Sequence, residues 1–129
     1  LDYGCGSGIL SIASHKLGAK TVLGIDNDHQ ALRNAERNKS LNSADIELLH
    51  SNDYKIKMKF DIVIANILLK TIISLKDILL SSLKPKSKLL LTGILKDQAL
   101  ELINSFAPEI SLNIFDEQED WLLFYGEKN

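Results

Sequence analysis

A chain of 129 residues, 45% hydrophobic and 25% charged with a formal net charge of -2, is sized for one domain with a real core. That charge argues against a protein that grips nucleic acid through bulk electrostatics, so no direct nucleic-acid partner is expected, although a local basic patch stays open. The single cysteine, Cys5, excludes an internal disulfide and suits a reducing cytoplasm. No apolar run approaches the ~20 residues that span a bilayer, and no signal peptide is visible.

Leu1-Asp2 reads as the last two residues of a buried strand, whose first half would precede the chain. The loop Gly4-Cys5-Gly6-Ser7-Gly8 follows, and then a helix over Ile9 to Leu17 with Ile9, Ile12, Ala13 and Leu17 inward and Gly18 as its cap. Thr21 to Ile25 is an apolar strand closed by Asp26. Asp28 caps a second helix with Ala31, Leu32, Ala35 and Asn38 inward and Arg33, Glu36, Arg37 and Lys39 outward. Asp45 to His50 reads as a strand, and Ser51-Asn52-Asp53 turns away from it.

Phe60 to Ala65 is another buried strand, ending at Asn66. The spacing of Ile72, Ile73, Leu75, Ile78, Leu79 and Leu83 predicts one helix over Leu69 to Leu83, and Lys84-Pro85-Lys86-Ser87 is a turn. A strand from Lys88 to Thr92 is followed by Gly93, and a helix over Lys96 to Phe106 by the breaker Pro108. Strands Ile110 to Phe115 and Trp121 to Tyr125 close the chain around the acidic turn 116–120, with Trp121 expected in the core. Strands alternating with helices of ~10–15 residues make right-handed βαβ units and a mostly parallel, doubly wound α/β sheet, expected as one domain over residues 1–129.

Ligands of such folds sit outside the carboxyl ends of the strands. That rule collects Asp2 to Gly8, Asp26 to Asp28, Asn52 and Asp53, and Asn66 to Leu68. Glycines turn the backbone tightly and admit a ligand where a Cβ would block it, and the loop leads into a helix N-terminus that favours an anionic group. An acid two residues before Gly-x-Gly-x-Gly is how many S-adenosylmethionine (SAM) sites begin. A dinucleotide site needs Gly-x-Gly-x-x-Gly, and Ile9 or Ser11 stands where its last glycine belongs. Asp2 could accept from loop N–H groups or from the ligand's amino group, and Gly4, Gly6 and Gly8 shape the pocket with Cys5 as an inert lining residue. Asp26 with Asn27 lies where a carboxylate accepts both ribose hydroxyls, and Asp53 is placed for an adenine amino group. Asn66 is the catalytic candidate as well as a cofactor-side residue: its amide could accept from an amine substrate and aim it at the sulfonium methyl, an in-line displacement in which positioning supplies much of the effect. His15, His29 and His50 are scattered and show no metal-ligand spacing, so no metal is expected.

Asp2-Tyr3-Gly4-Cys5-Gly6-Ser7-Gly8-Ile9-Leu10, Leu17-Gly18-Ala19-Lys20, Gly24-Ile25-Asp26, Ala65-Asn66-Ile67-Leu68 and Leu91-Thr92-Gly93-Ile94-Leu95 together resemble PrmA-type enzymes. The resemblance extends to Asp120-Trp121-Leu122-Leu123, and departs at Lys84-Pro85-Lys86-Ser87, where Pro-Gly-Gly is usual. It implies the seven-stranded class I SAM-dependent methyltransferase fold, Rossmann-like, with strand order 3-2-1-4-5-7-6. It also implies N-methylation of a large-subunit ribosomal protein at lysine side chains and the terminal amine, with Gly4, Asp26 and Asn66 in cofactor roles. The family's substrate-recognition domain, linker and Thr-containing cofactor segment precede its first motif, so the chain is expected to be a fragment truncated at its N-terminus. Two rivals remain: a methyltransferase of a small molecule or nucleic acid on the same fold, and a SAM-binding module inactive in this span.

Overall fold

A computed structural model describes residues 1–129. Its strands follow the order β3-β2-β1-β4-β5-β7-β6 in one seven-stranded sheet, the order the resemblance implies. The chain divides into two compact units, Leu1–Lys55 and Ile56–Asn129.

The first unit runs β1 (Asp2–Tyr3), α1 (Ile9–Lys16), β2 (Leu23–Asp26), α2 (His29–Leu41) and β3 (Glu47–His50), then a 3₁₀ turn at Ser51–Asp53. Both strand pairs are parallel, with Asp2 opposite Gly24 and Asp26 opposite His50. Ile12, Val22, Ala44 and Ile46 form a buried cluster that Leu48 packs against. Asp28 caps α2 as its sequence predicts, accepting from the Gln30 N–H at 2.8 Å. Helix α1 departs from expectation: Ile9 and Leu17 are 70% and 89% exposed, and its buried residues are Ser11 and Ile12. At roughly 100° per residue, Leu17 lies about 140° around the helix from Ile12, outside a face centred on Ser11 and Ile12. A serine can occupy that face because Asp2 partners its hydroxyl.

The second unit runs β4 (Phe60–Asn66), α3 (Leu69–Ser74), α4 (Lys76–Ser81), β5 (Leu83–Leu95), a 3₁₀ turn at Lys96–Gln98, α5 (Ala99–Phe106), β6 (Leu112–Gln118) and β7 (Trp121–Glu127). The single helix predicted over Leu69 to Leu83 is two helices. Leu75 leaves helical geometry at φ -95°, ψ 3°, and its N–H is shared between the Thr71 and Ile72 carbonyls. Leu83 is not helical: it begins β5, opposite Phe60. The Lys84 to Ser87 turn survives as an irregularity within β5, where pairing jumps from Phe60–Leu83 to Ile62–Lys88 and Lys86 adopts φ 58°.

The closing hairpin is tighter than predicted. Strand β6 reaches Gln118, which faces Trp121, leaving Glu119 and Asp120 as the loop. Along β7 the buried residues are Leu122, Phe124 and Gly126. Side chains alternate along a strand, so Trp121 falls on the other parity and is 48% exposed instead of lying in the core.

Candidate functional site

The glycine loop is built on positive φ: Gly4, Gly6 and Gly8 sit at 79°, 54° and 83°. A Cβ on Gly8 would also lie 3.2 Å from the Ala35 Cβ of α2, so this position needs glycine for its backbone and for close packing. The loop is held from several sides. Gly4 and Cys5 N–H both donate to the Ile25 carbonyl at 2.7 and 2.8 Å, and Asn38 Nδ2 of α2 donates to the Ser7 carbonyl at 2.9 Å.

Asp26 grips the loop directly. Its Oδ2 accepts from the Gly6 N–H at 2.8 Å, and its Oδ1 accepts from the Asp28 N–H at 2.9 Å. Each carboxylate oxygen has two lone pairs, so this arrangement leaves acceptor capacity for a diol. Asn27 lies between the two acids, and its carbonyl is 3.0 Å from His50 Nε2. Asp53 is exposed at the end of the 3₁₀ turn that follows β3.

Asp2 is 3% exposed and accepts from Ser11 Oγ at 2.7 Å, so it anchors the first turn of α1. Burial raises its pKa above the ordinary 3.8, and the Ser11 hydrogen bonds oppose that rise. A raised folded-state pKa means that the fold favours the protonated acid. The ionised form therefore costs stability as pH rises above 3.8, and the cost is full above the folded-state value. Asp2→Asn keeps an acceptor for Ser11 and removes the charge. It is expected to raise Tm at neutral pH, with the gain shrinking as pH falls toward 4; circular dichroism melts at both pH values measure this. Unchanged SAM affinity in the same variant would leave Asp2 as an anchor of α1 alone.

Cys5 is 6% exposed. Burial first, then the charges of Asp2 and Asp26, push its thiol up to about 12, which fits an inert lining residue.

In the second unit, Asn66 ends β4 opposite Thr92 of β5 and is exposed. Thr92 Oγ1 donates to the Leu122 carbonyl at 2.9 Å, fixing β5 beside β7 at this level. Gly93 follows with φ 82°, and a Cβ there would lie 2.8 Å from the Ile67 carbonyl oxygen and 3.1 Å from Asn66 Oδ1. Gly93 thus admits the Asn66–Ile67 turn. Neither this contact nor the hydrogen bonds of His50 follow from local pattern; the sole signal for Gly93 is a glycine directly after a strand.

This strand order, with a glycine loop after β1 and an acid at the end of β2, defines the class I SAM-dependent methyltransferase fold. The family model for ribosomal protein L11 methyltransferase (PrmA) matches residues 1–129. The ribosomal protein L11 methyltransferase of Janthinobacterium sp. (strain Marseille) is 37% identical over 130 residues, covering 98% of this chain and 42% of the relative. The crystal structure of ribosomal protein L11 methylase from Lactobacillus delbrueckii subsp. bulgaricus superposes with a TM-score of 0.90 at 34% identity, over 99% of this chain and 69% of that one. The chain belongs to the ribosomal protein L11 methyltransferase family, and it spans 42% of the length of that curated relative. The fold also matches a T. thermophilus 16S rRNA methyltransferase solved with AdoMet and guanosine, with a TM-score of 0.81 at 20% identity, over 99% of this chain and 36% of that one.

Proposed function

We propose that this chain, over residues 1–129, is the SAM-dependent catalytic domain of an enzyme that N-methylates ribosomal protein L11 at lysine side chains and the terminal amine. The observation that carries this reading is the family match over the whole chain, joined to a glycine loop fastened by Asp26. A cytoplasmic location fits a ribosomal substrate, and no helix is long and apolar enough to cross a membrane.

The residues present fit the cofactor. Gly4, Cys5, Gly6 and Gly8 would line the methionine side, with Asp2 buried and anchoring α1 through Ser11. Asp26 and Asn27 would hold the ribose, Asp53 would hold the adenine amino group, and Asn66 is assigned to the methyl-transfer step. SAM, when bound, supplies an electrophilic methyl on a sulfonium. Asn66 would orient the amine for in-line attack. A lysine amine has an ordinary pKa of about 10.4 and must lose its proton first, which a neighbouring cation favours.

Calorimetry with SAM, its demethylated product and NAD tests this reading. SAM or the product is expected to bind, and tighter NAD binding would overturn the assignment. Asp26→Ala is expected to weaken SAM binding by about tenfold or more, since a charge-assisted hydrogen bond is worth roughly 1.5–3 kcal/mol and the Gly6 N–H loses its acceptor too. Asp28→Ala removes a helix cap worth about 1 kcal/mol of stability and should change affinity less. Equal affinities in the two folded variants would take the ribose role from Asp26.

A further inference from the structure

His50 ends β3 directly opposite Asp26, and its ring is committed at both nitrogens. The Asn52 N–H donates to Nδ1 at 3.1 Å. A backbone N–H can only donate, so Nδ1 carries no proton, and the neutral ring has its hydrogen on Nε2. That hydrogen meets the Asn27 carbonyl at 3.0 Å. The donor pattern of one tautomer therefore matches both partners. His29, the first residue of α2, stacks on the same ring with centroids 4.2 Å apart and planes 19° apart.

Both partners lie in the turns assigned to the cofactor. Asn27 sits in the turn that carries Asp26, and Asn52 in the turn that carries Asp53. We propose that His50 is a positioning residue of the cofactor site: it ties the turn after β2 to the end of β3 through Nε2 and caps the turn after β3 through Nδ1, and it makes both contacts together only as the neutral ring. This rests on the SAM reading above. Protonation places an N–H at Nδ1 against the Asn52 N–H, so the Nδ1 contact is lost while the Nε2 contact can persist. The 3₁₀ turn that carries Asp53 then loses its cap, while His50 stays tied to Asn27. His29 is stacked on the ring and Asp26 stands opposite it in the register, with Asp28 at the cap of α2 and Asp53 in the 3₁₀ turn after β3 as the ionisable groups of the adjoining elements.

The test uses the intact protein and S-adenosylhomocysteine as probe, with affinity measured by calorimetry at about pH 8 and about pH 5.5, either side of the ordinary imidazole range. Wild-type affinity is expected to fall severalfold at the lower pH. His50→Asn keeps an acceptor for Asn52, loses the Asn27 contact and does not titrate. It should bind with intermediate affinity that is the same at both pH values. His50→Phe keeps a flat ring for His29 and loses both hydrogen bonds, so its affinity should drop about tenfold at the higher pH and show no pH dependence. His29→Phe should leave the wild-type pH dependence in place. Equal wild-type affinity at both pH values, a pH dependence that survives in His50→Asn or vanishes in His29→Phe, or wild-type affinity in a folded His50→Phe would each overturn the proposal. These results would leave the cofactor reading standing, because wild type would still bind. No binding by wild type at either pH would overturn both. Should His50→Phe fail to fold, the pH profile of His50→Asn still decides.

Discussion

Treated with iodoacetamide at pH 8, Cys5 is expected to alkylate at least about 10²-fold more slowly in the native protein than an exposed thiol does. Three effects set the size. An ordinary thiol titrates near ~8.5 and is roughly a quarter ionised at that pH, whereas one pushed up to about 12 is ionised about once in 10⁴. That alone lowers the reactive fraction by on the order of 10³. A more basic thiolate is a better nucleophile, and with a Brønsted slope of ~0.4–0.5 this returns a factor of roughly 25–55. Burial then slows the reaction again, because Cys5 is 6% exposed. The rate should recover to that of a free thiol in denaturant, and mass spectrometry over time follows both. Fast native alkylation would mean that the glycine loop opens readily, and that Cys5 is available for chemistry.

The loop around Cys5 shows why this part of the fold could be read in advance. Backbone positions at φ 79°, 54° and 83° demand glycine, so geometry is written into residue type. Asp28 as a cap was equally local. Asp26 was legible as a strand-end acid, but its hold on the Gly6 N–H spans twenty residues of sequence and is visible only once β1 and β2 pair. His50 was illegible for the same reason. Its meaning comes from standing opposite Asp26 in a parallel register, and no spacing rule joins it to Asn27. The hidden parts of the fold are of two kinds. At Leu75 the apolar period continues while the backbone breaks, since periodicity reports the buried face and not the continuity of the helix. At Leu17 and Trp121 the residue is apolar but its phase is wrong, by helical rotation in one case and by strand parity in the other.

Asn66→Ala, in the intact protein with ribosomal protein L11 as acceptor, is expected to lower methyl-transfer kcat by about 10²-fold or more, the scale at which a small misplacement of reacting groups is felt. SAM affinity should fall less, because the contacts assigned to the glycine loop and Asp26 remain. The role expected of the amide depends on where it is held. Asn66 ends β4 opposite Thr92, and the absence of a side chain at Gly93 lets the Asn66–Ile67 turn approach β5. Asn66→Asp keeps an acceptor and loses the amide donor, so it should retain more activity than Ala if accepting from the amine is what matters. Steady-state kinetics on the three proteins separate kcat from KM, since lost alignment in the transition state lowers kcat whereas lost uniform binding raises KM. Near-normal kcat in Asn66→Ala would reduce Asn66 to a turn residue after a strand. The amine would then have to be aligned by groups other than the β4 strand end.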